Sequence, residues 1–196
     1  MQQNLTLKME TDKYEIISEG VKAIVIIDKS LLGLKYLISM PEISKPTQVL
    51  LSELKKRLLI EVTISTTEIL DPKVIEQVKQ RFHTSANLIL DSLVPNLDKE
   101  KKDFLIGLVL QEMLGLSDLE FLLNDSFLEE IVVNSSSEPV RVYHKKYGWL
   151  ETNITIKTEN QIQHYANIIA RRVGRQITTL NPLLDAHLIT GDRSNA

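Results

Sequence analysis

The side chains of this sequence best suited to hold a ligand are guanidinium groups toward its C-terminal end: Arg171, Arg172, Arg175 and Arg193. Arg171 and Arg172 fall in the last turn of an expected helix, where the helix dipole by itself favours a cation. Arg193 comes just after the turn Thr190-Gly191-Asp192. A guanidinium fixed on a tight turn suits two-pronged contact with a phosphate arriving from a neighbouring domain, the logic of a supplied arginine. The sequence itself holds no Gly-x-x-x-x-Gly-Lys-Ser/Thr loop, and not even a Gly-Lys dipeptide, so backbone N–H groups and a lysine that would cradle phosphates are missing from it.

Other chemistries are poorly provided for. There is no cysteine, and the four histidines (83, 144, 164 and 187) include no i,i+4 pair, which removes thiol nucleophiles, disulfides and structural zinc together. Without a Gly-x-Ser-x-Gly elbow no Ser-His-Asp arrangement can be argued. Glu129-Glu130 is an acid pair, but neighbours on a strand point to opposite faces and share no substrate. The sequence therefore offers no catalytic residue and no metal ligand set. As a hydrolase this chain is expected to be inactive alone.

Composition frames those groups. The chain has 196 residues, 43% apolar and 25% charged, which is globular and long enough to bury about 70% of its extended surface without staples. A net charge of −3 argues against a nucleic-acid module, which needs phosphate neutralisation. The charge is uneven: residues 101–134 carry two lysines against seven acids, whereas 157–196 carry five basic residues against three acids. Asn-x-Ser/Thr triplets at Asn4, Asn124, Asn134 and Asn153 mean nothing without a secretory route. No signal peptide or membrane-length apolar run is evident, so a cytoplasmic setting is expected.

The elements that must position the arginines can be read from hydrophobic period. Tyr14 and Ile16, then Val21, Ala23, Val25 and Ile27, alternate around Ser18-Glu19-Gly20, a hairpin pattern, and Tyr36-Leu37-Ile38 reads as a third strand. Val49, Leu50, Leu54 and Leu58 recur at helical spacing, with Lys55, Lys56 and Arg57 expected near that helix's C-terminus. Asp71-Pro72 is read as the start of a helix carrying Ile75, Val78, Phe82, Ala86, Ile89 and Leu93, stopped by Pro95. Asp98 opens another, with Phe104, Leu105, Leu108 and Val109, closed by Gly115. Three helices with apolar stripes make a small bundle.

Ser117 and Glu120 form a capping box with Leu116 and Phe121 as its staple; Thr158 and Gln161 form a second, opening a helix with Ile162, Tyr165, Ile169 and Val173 inward and Gly174 at its end. Ile131-Val132-Val133, Val140-Arg141-Val142-Tyr143 and Trp149-Leu150 read as strands. Leu183 to Ile189 is a strand candidate, and a return strand would begin at Arg193, so the hairpin is expected to be half built at Ala196, as in the front part of a longer polypeptide.

From about residue 115 the sequence resembles the N-terminal domain of the type II/type IV secretion ATPase superfamily, particularly archaeal members that power secretion, pilus or archaellum assembly. The stretches that carry the resemblance are Leu114-Gly115-Leu116-Ser117-Asp118-Leu119-Glu120-Phe121-Leu122-Leu123-Asn124-Asp125, Glu130-Ile131-Val132-Val133-Asn134, Tyr147-Gly148-Trp149-Leu150, and Asn181-Pro182-Leu183-Leu184-Asp185-Ala186-His187-Leu188 through Gly191-Asp192-Arg193-Ser194-Asn195-Ala196. Ser194 departs from the usual apolar β-branched residue, and residues 1–95 match only in element order.

The fold expected is α+β: an N-terminal α+β and helical subdomain at 1–95, a connecting bundle helix at 96–115, and a PAS-like domain at 116–196. The resemblance further implies a RecA-like ATPase domain outside this chain using ATP and Mg2+, a homohexameric ring, and motion transmitted to a membrane platform protein at the inner face of the membrane. Arg193 matches the Gly-x-Arg position that looks toward nucleotide phosphate, with Arg171 and Arg172 as further phosphate contacts, while Asp185 and Gly191 are structural parts of the motif. The competing readings are a stand-alone PAS-like sensor with an apolar ligand pocket, or a membrane-docking adaptor without ATPase activity.

Overall fold

The computed structural model describes residues 12–30, 33–63, 74–187 and 193–196. Three strands come first, β1 (Asp12–Ser18), β2 (Val21–Ser30) and β3 (Gly33–Ser39), then four helices, α1 (Lys45–Glu61), α2 (Ile75–Leu93), α3 (Lys99–Leu114) and α4 (Leu119–Leu123). Next are β4 (Leu128–Val132), β5 (Pro139–His144) and β6 (Gly148–Thr155), helix α5 (Glu159–Arg172), and a short hairpin of β7 (Asp185–His187) and β8 (Arg193–Asn195). The protein is a mixed α+β structure.

β1 to β3 form an antiparallel meander, and so do β4 to β6; the two join edge to edge into one six-stranded sheet of order β1-β2-β3-β6-β5-β4. Strands on either side of the boundaries expected at 95/96 and 115/116 thus share a sheet. The β3–β6 seam is parallel and short, with Lys35 opposite Glu151 and Tyr36 opposite Thr152. Beyond those two positions the Asn153 amide continues the ladder, accepting from the Ile38 N–H and donating to the Ile38 carbonyl, both at 2.9 Å.

Period-2 patterning decides which face is buried. Ile16, Val21, Ala23, Val25, Ile27, Tyr36, Ile38, Val140, Val142, Leu150 and Ile154 point into one core, capped by Leu116, Leu119, Phe121 and Leu122 from the α4 region and Tyr165 from α5. The other face carries Lys35 and Glu151 as a cross-strand ion pair and Trp149 edge-on to Tyr143, together with the half-exposed side chains of Ile17 and Ile24.

The helical bundle has its own core. Leu51, Leu54 and Leu58 of α1 meet Val78, Phe82, Ala86, Ile89 and Leu90 of α2 and Leu105, Ile106, Val109 and Leu110 of α3. Val49, expected on the buried stripe, is 70% exposed, and Leu51 takes its place. Helix α1 also continues to Glu61, so Lys55, Lys56 and Arg57 lie a turn before its end; Lys55 instead pairs with Glu112 of α3 at 2.6 Å and Arg57 with Glu53 at 2.9 Å. The expected Asp71-Pro72 start lies outside the described residues.

Helix α3 is the element both cores share, since Phe104 and Leu108 pack against each of them. Its contact with the sheet is the β1–β2 turn, where Glu19 and Gly20 adopt φ of 48° and 76°, a tight turn that matches strand twist. Gln111 donates to the Ser18 carbonyl at 2.9 Å, and Glu19 pairs with Lys79 of α2. Gly107 permits the approach: a Cβ there would fall inside contact distance of the Glu19 carbonyl and 2.8 Å from Val21 Cγ2. Overpacking against backbone cannot relax by a rotamer change. Gly107→Ala is therefore expected to cost about 2–3 kcal/mol of stability, read as a lower urea midpoint at unchanged m-value.

Candidate functional site

The arginines are placed by α5 and by the turn and hairpin C-terminal to it. Thr158 caps the helix as expected, its hydroxyl accepting from the Gln161 N–H at 3.2 Å, although the Gln161 side chain donates to the Tyr165 hydroxyl at 2.7 Å instead of reaching back. Arg171 and Arg172 occupy the last turn. Gly174, at φ 68°, turns the chain, and the Arg175 N–H returns to the Ala170 carbonyl at 2.8 Å. Thr178 and Asn181 then exchange backbone hydrogen bonds at 3.1 Å, and Leu184 and Ala186 insert beside Ala170, against Ile169, Val173 and Ile177.

The return strand expected from Arg193 is present, and Ser194 does not prevent it. Asp185 opposes Asn195, Ala186 opposes Ser194 and His187 opposes Arg193. Leu184 and Ala196 add two backbone bonds of 2.7 and 3.0 Å, so the ladder extends to the last residue. The strand expected from Leu183 begins after that residue, which is 85% exposed, and Leu188 and Ile189 lie outside the described residues. Gly191 lies outside the described residues.

Asp185 and Arg193 are brought together. Arg193 Nε and Nη2 donate to the two carboxylate oxygens at 3.0 Å each, on the solvent face of the hairpin. This fork holds the Asp185 carboxyl below its ordinary range and pushes the guanidinium up. Arg175 donates to the Asp185 main-chain carbonyl. Arg172 is engaged elsewhere, in a largely buried ion pair with Glu120. A planar fork that already grips two oxygens of one anion fits a phosphate group, so the donor set at Arg193 suits the nucleotide that the resemblance implies.

Glu120 shows where the first capping box departs from expectation. Its carboxylate accepts from the Leu116 N–H at 2.9 Å, and the helix begins at Leu119, behind Asp118. Ser117 sits at φ 53°, and its N–H donates to the Gln111 carbonyl at 3.1 Å. Gly115 is extended, at φ −106°, rather than left-handed; a Cβ there would lie 3.0 Å from Glu120 Oε1. Glu120 thus serves Leu116 and Arg172 at once, tying the end of α5 to the α3–α4 junction.

A second polar constellation is invisible to motif reading. Asp125 is 5% exposed and has no basic hydrogen-bond partner among the described residues. Its Oδ2 accepts from the hydroxyls of Tyr14 and Tyr36, both at 2.6 Å, and its Oδ1 from the Phe127 N–H at 2.8 Å. That last bond is an Asx turn, the one local signal in Asn124-Asp125-Ser126-Phe127. His144 stacks on Phe127 at 5.8 Å and its Nδ1 accepts from the Lys146 N–H at 3.0 Å, with burial lowering its pKa and favouring the neutral ring. Glu129 and Glu130 are both exposed because the ladder slips between Leu128 and Glu130, which undoes the expected alternation. On the helical bundle lies an open, polar groove of about 750 Å³ lined by Glu61, Thr63, Gln77, Gln80 and Thr84.

Asp125 is sealed against substrate and acts as a clasp. Asp125→Ala is expected to lower stability by about 4 kcal/mol, since three donors lose a charged acceptor, measurable by urea denaturation. Burial, and then the Asp125 carboxylate, raise both tyrosine pKa values. The stability these hydroxyls contribute is therefore complete below the ordinary phenol value of about 10 and is lost as pH rises beyond it. The urea midpoint is expected to fall between about pH 9 and pH 11, and to fall less in the Tyr14→Phe/Tyr36→Phe double variant.

No family model matches the chain. It is similar to three uncharacterised proteins of Methanocaldococcus jannaschii. MJ1288 is 27% identical over 198 residues, which covers 94% of this chain and 77% of that relative. MJ0781 is 34% identical over 187 residues, 94% of this chain but 24% of the relative. MJ0900 is 33% identical over 96 residues, 49% of this chain and 17% of the relative. The chain therefore spans most of one relative and a quarter or less of two others.

Proposed function

We propose that this chain is the N-terminal coupling portion of a secretion-type hexameric ATPase, inactive as a hydrolase by itself, working at the cytoplasmic face of a membrane against a platform protein. The observation that carries the reading is the exposed Arg193 fork, set on a hairpin in the Gly-x-Arg context of the resembling family. Two relatives far longer than the matched region support a module that is joined to other domains. β4 to β6 with α5 packed on their inner face support a PAS-like assignment for residues 116–196. No helix among the described residues is long and apolar enough to cross a membrane.

In this mechanism the ATP, with Mg2+, is bound by a RecA-like domain, and Arg193 contributes charge to its phosphates from across the cleft. Arg172 acts less directly, because it is held by Glu120 and fixes the helix from which Arg175 and the hairpin hang, while Arg171 beside it in the last turn is a further candidate contact. Arg193→Ala in the complete ATPase is expected to slow hydrolysis at least about tenfold, below the usual effect of a supplied arginine, with the circular dichroism spectrum preserved. Unchanged turnover would confine the side chain to the hairpin.

A second reading is favoured by MJ1288, of which the matched region covers 77%: a stand-alone adaptor or sensor that docks on the membrane machine without an ATPase domain of its own. Its mark is platform binding of equal affinity with and without nucleotide, measured by surface plasmon resonance on the 196-residue chain. Affinity that changes with nucleotide favours the coupling role.

A further inference from the structure

We propose that Asp185 is a displaceable internal anion: it holds the Arg193 guanidinium ready for a terminal phosphate or pyrophosphate group and competes with that ligand for the same fork. The inference rests on the reading of Arg193 as a phosphate contact and adds the device that governs it. Pairing of β7 with β8 places Asp185, His187, Arg193 and Asn195 on one face, while Leu184 and Ala186 fill the other. Arg193 therefore presents two N–H groups to solvent, along a line now taken by two carboxylate oxygens.

Three features make the exchange feasible. The pair is open, with side chains 60% and 59% exposed, so water already screens it. Giving up such a pair costs no more than about fivefold in affinity. Arg175 is anchored to the Asp185 main-chain carbonyl, not to its carboxylate, so it stays in place when the carboxylate leaves. His187, directly across the ladder from Arg193, adds a further donor. Arg193 grips the carboxylate, Arg175 holds the main-chain carbonyl of the same residue, and two guanidinium groups against one carboxylate leave the site a positive surplus even with Asp185 in the fork.

Selectivity arises from this competition. Asp185 is tethered next to Arg193, so its effective concentration is high, and a monoanion such as acetate gains nothing by replacing it. A phosphate dianion or pyrophosphate brings more charge than the carboxylate it displaces, beside a second guanidinium held at Arg175 and the His187 ring across the ladder. The ring of donors thus rejects simple carboxylates and accepts phosphate chains.

The test uses the 196-residue chain with inorganic pyrophosphate, ATP and acetate, read by isothermal titration and by the Arg193 Nε–H resonance. Asp185→Asn keeps the side-chain shape and removes the charge. It is expected to bind pyrophosphate about two- to fivefold more tightly than the unmodified chain, the inverse of the exchange cost, and the gain should vanish in Asp185→Asn/Arg193→Ala. Tighter binding of ATP than of pyrophosphate identifies a nucleotide as the natural source, and equal binding identifies the phosphate chain alone; either supports the proposal. Amide exchange at Leu184 and Ala196 reports that the hairpin is intact, with Asp185→Ser as a second variant if Asn opens it. Equal or weaker binding by an intact Asp185 variant overturns the competition while leaving Arg193 as a phosphate contact. Absence of pyrophosphate binding in both proteins overturns the two together.

Discussion

The rest of the structure depends on one buried carboxylate. Taking Asp125 out of water without a cation beside it is costly, and the cost is met only when Tyr14, Tyr36 and the Phe127 N–H arrive together. Those donors come from β1 and β3 on one side and from the turn before β4 on the other, with 111 and 89 residues of sequence between Asp125 and the two tyrosines. The first meander alone lacks the anion, and the second alone lacks two of its three donors. Asp125 thus enforces the union of two small meanders into one sheet and fixes their register.

From that centre the molecule grades outward. Helix α3 reaches the sheet through Gly107 and Gln111 and carries the bundle with it. Helix α5 joins through Tyr165 on one side and through Arg172 and Glu120 at its end. The terminal hairpin has the least support, a cluster in which only Ala170, Leu184 and Ala186 are buried among the described residues. Local opening free energy scales with the amount of buried apolar contact, so the segment that presents Arg193 belongs to the soft end of the fold. A surface meant to change partners is well served by such a position.

Regular elements were legible wherever apolar period was long and uninterrupted. Val21, Ala23, Val25 and Ile27, or Val78, Phe82, Ala86 and Ile89, announce a strand and a helix because only one periodicity buries them all. Reading failed where a partner distant in sequence decides the local choice. Val49 and Leu51 are equally apolar, and which one turns inward is set by α2 and α3. Ser117 and Glu120 have the spacing of a capping box, yet Arg172 and the Leu116 N–H compete for the carboxylate and shift the helix start. The Arg193 position was legible from its turn and from family resemblance, whereas its engagement with Asp185 and the Arg175 anchor required the hairpin to be seen. The tyrosine clasp left no trace in spacing at all, because Tyr14, Tyr36 and Asp125 meet only through topology.

The seam between β3 and β6 has a mechanical meaning. Every other junction in the six-stranded sheet is an antiparallel ladder of four or more paired positions, whereas here two positions and one side-chain amide, Asn153, join the halves. Pull applied between the two meanders would therefore fall mainly on the side-chain links that run beside the seam, the Tyr14 and Tyr36 bonds to Asp125 and the common core. Asn153 reinforces that thin stretch of ladder, while the Asp125 clasp and the shared core hold the same two halves together from beneath.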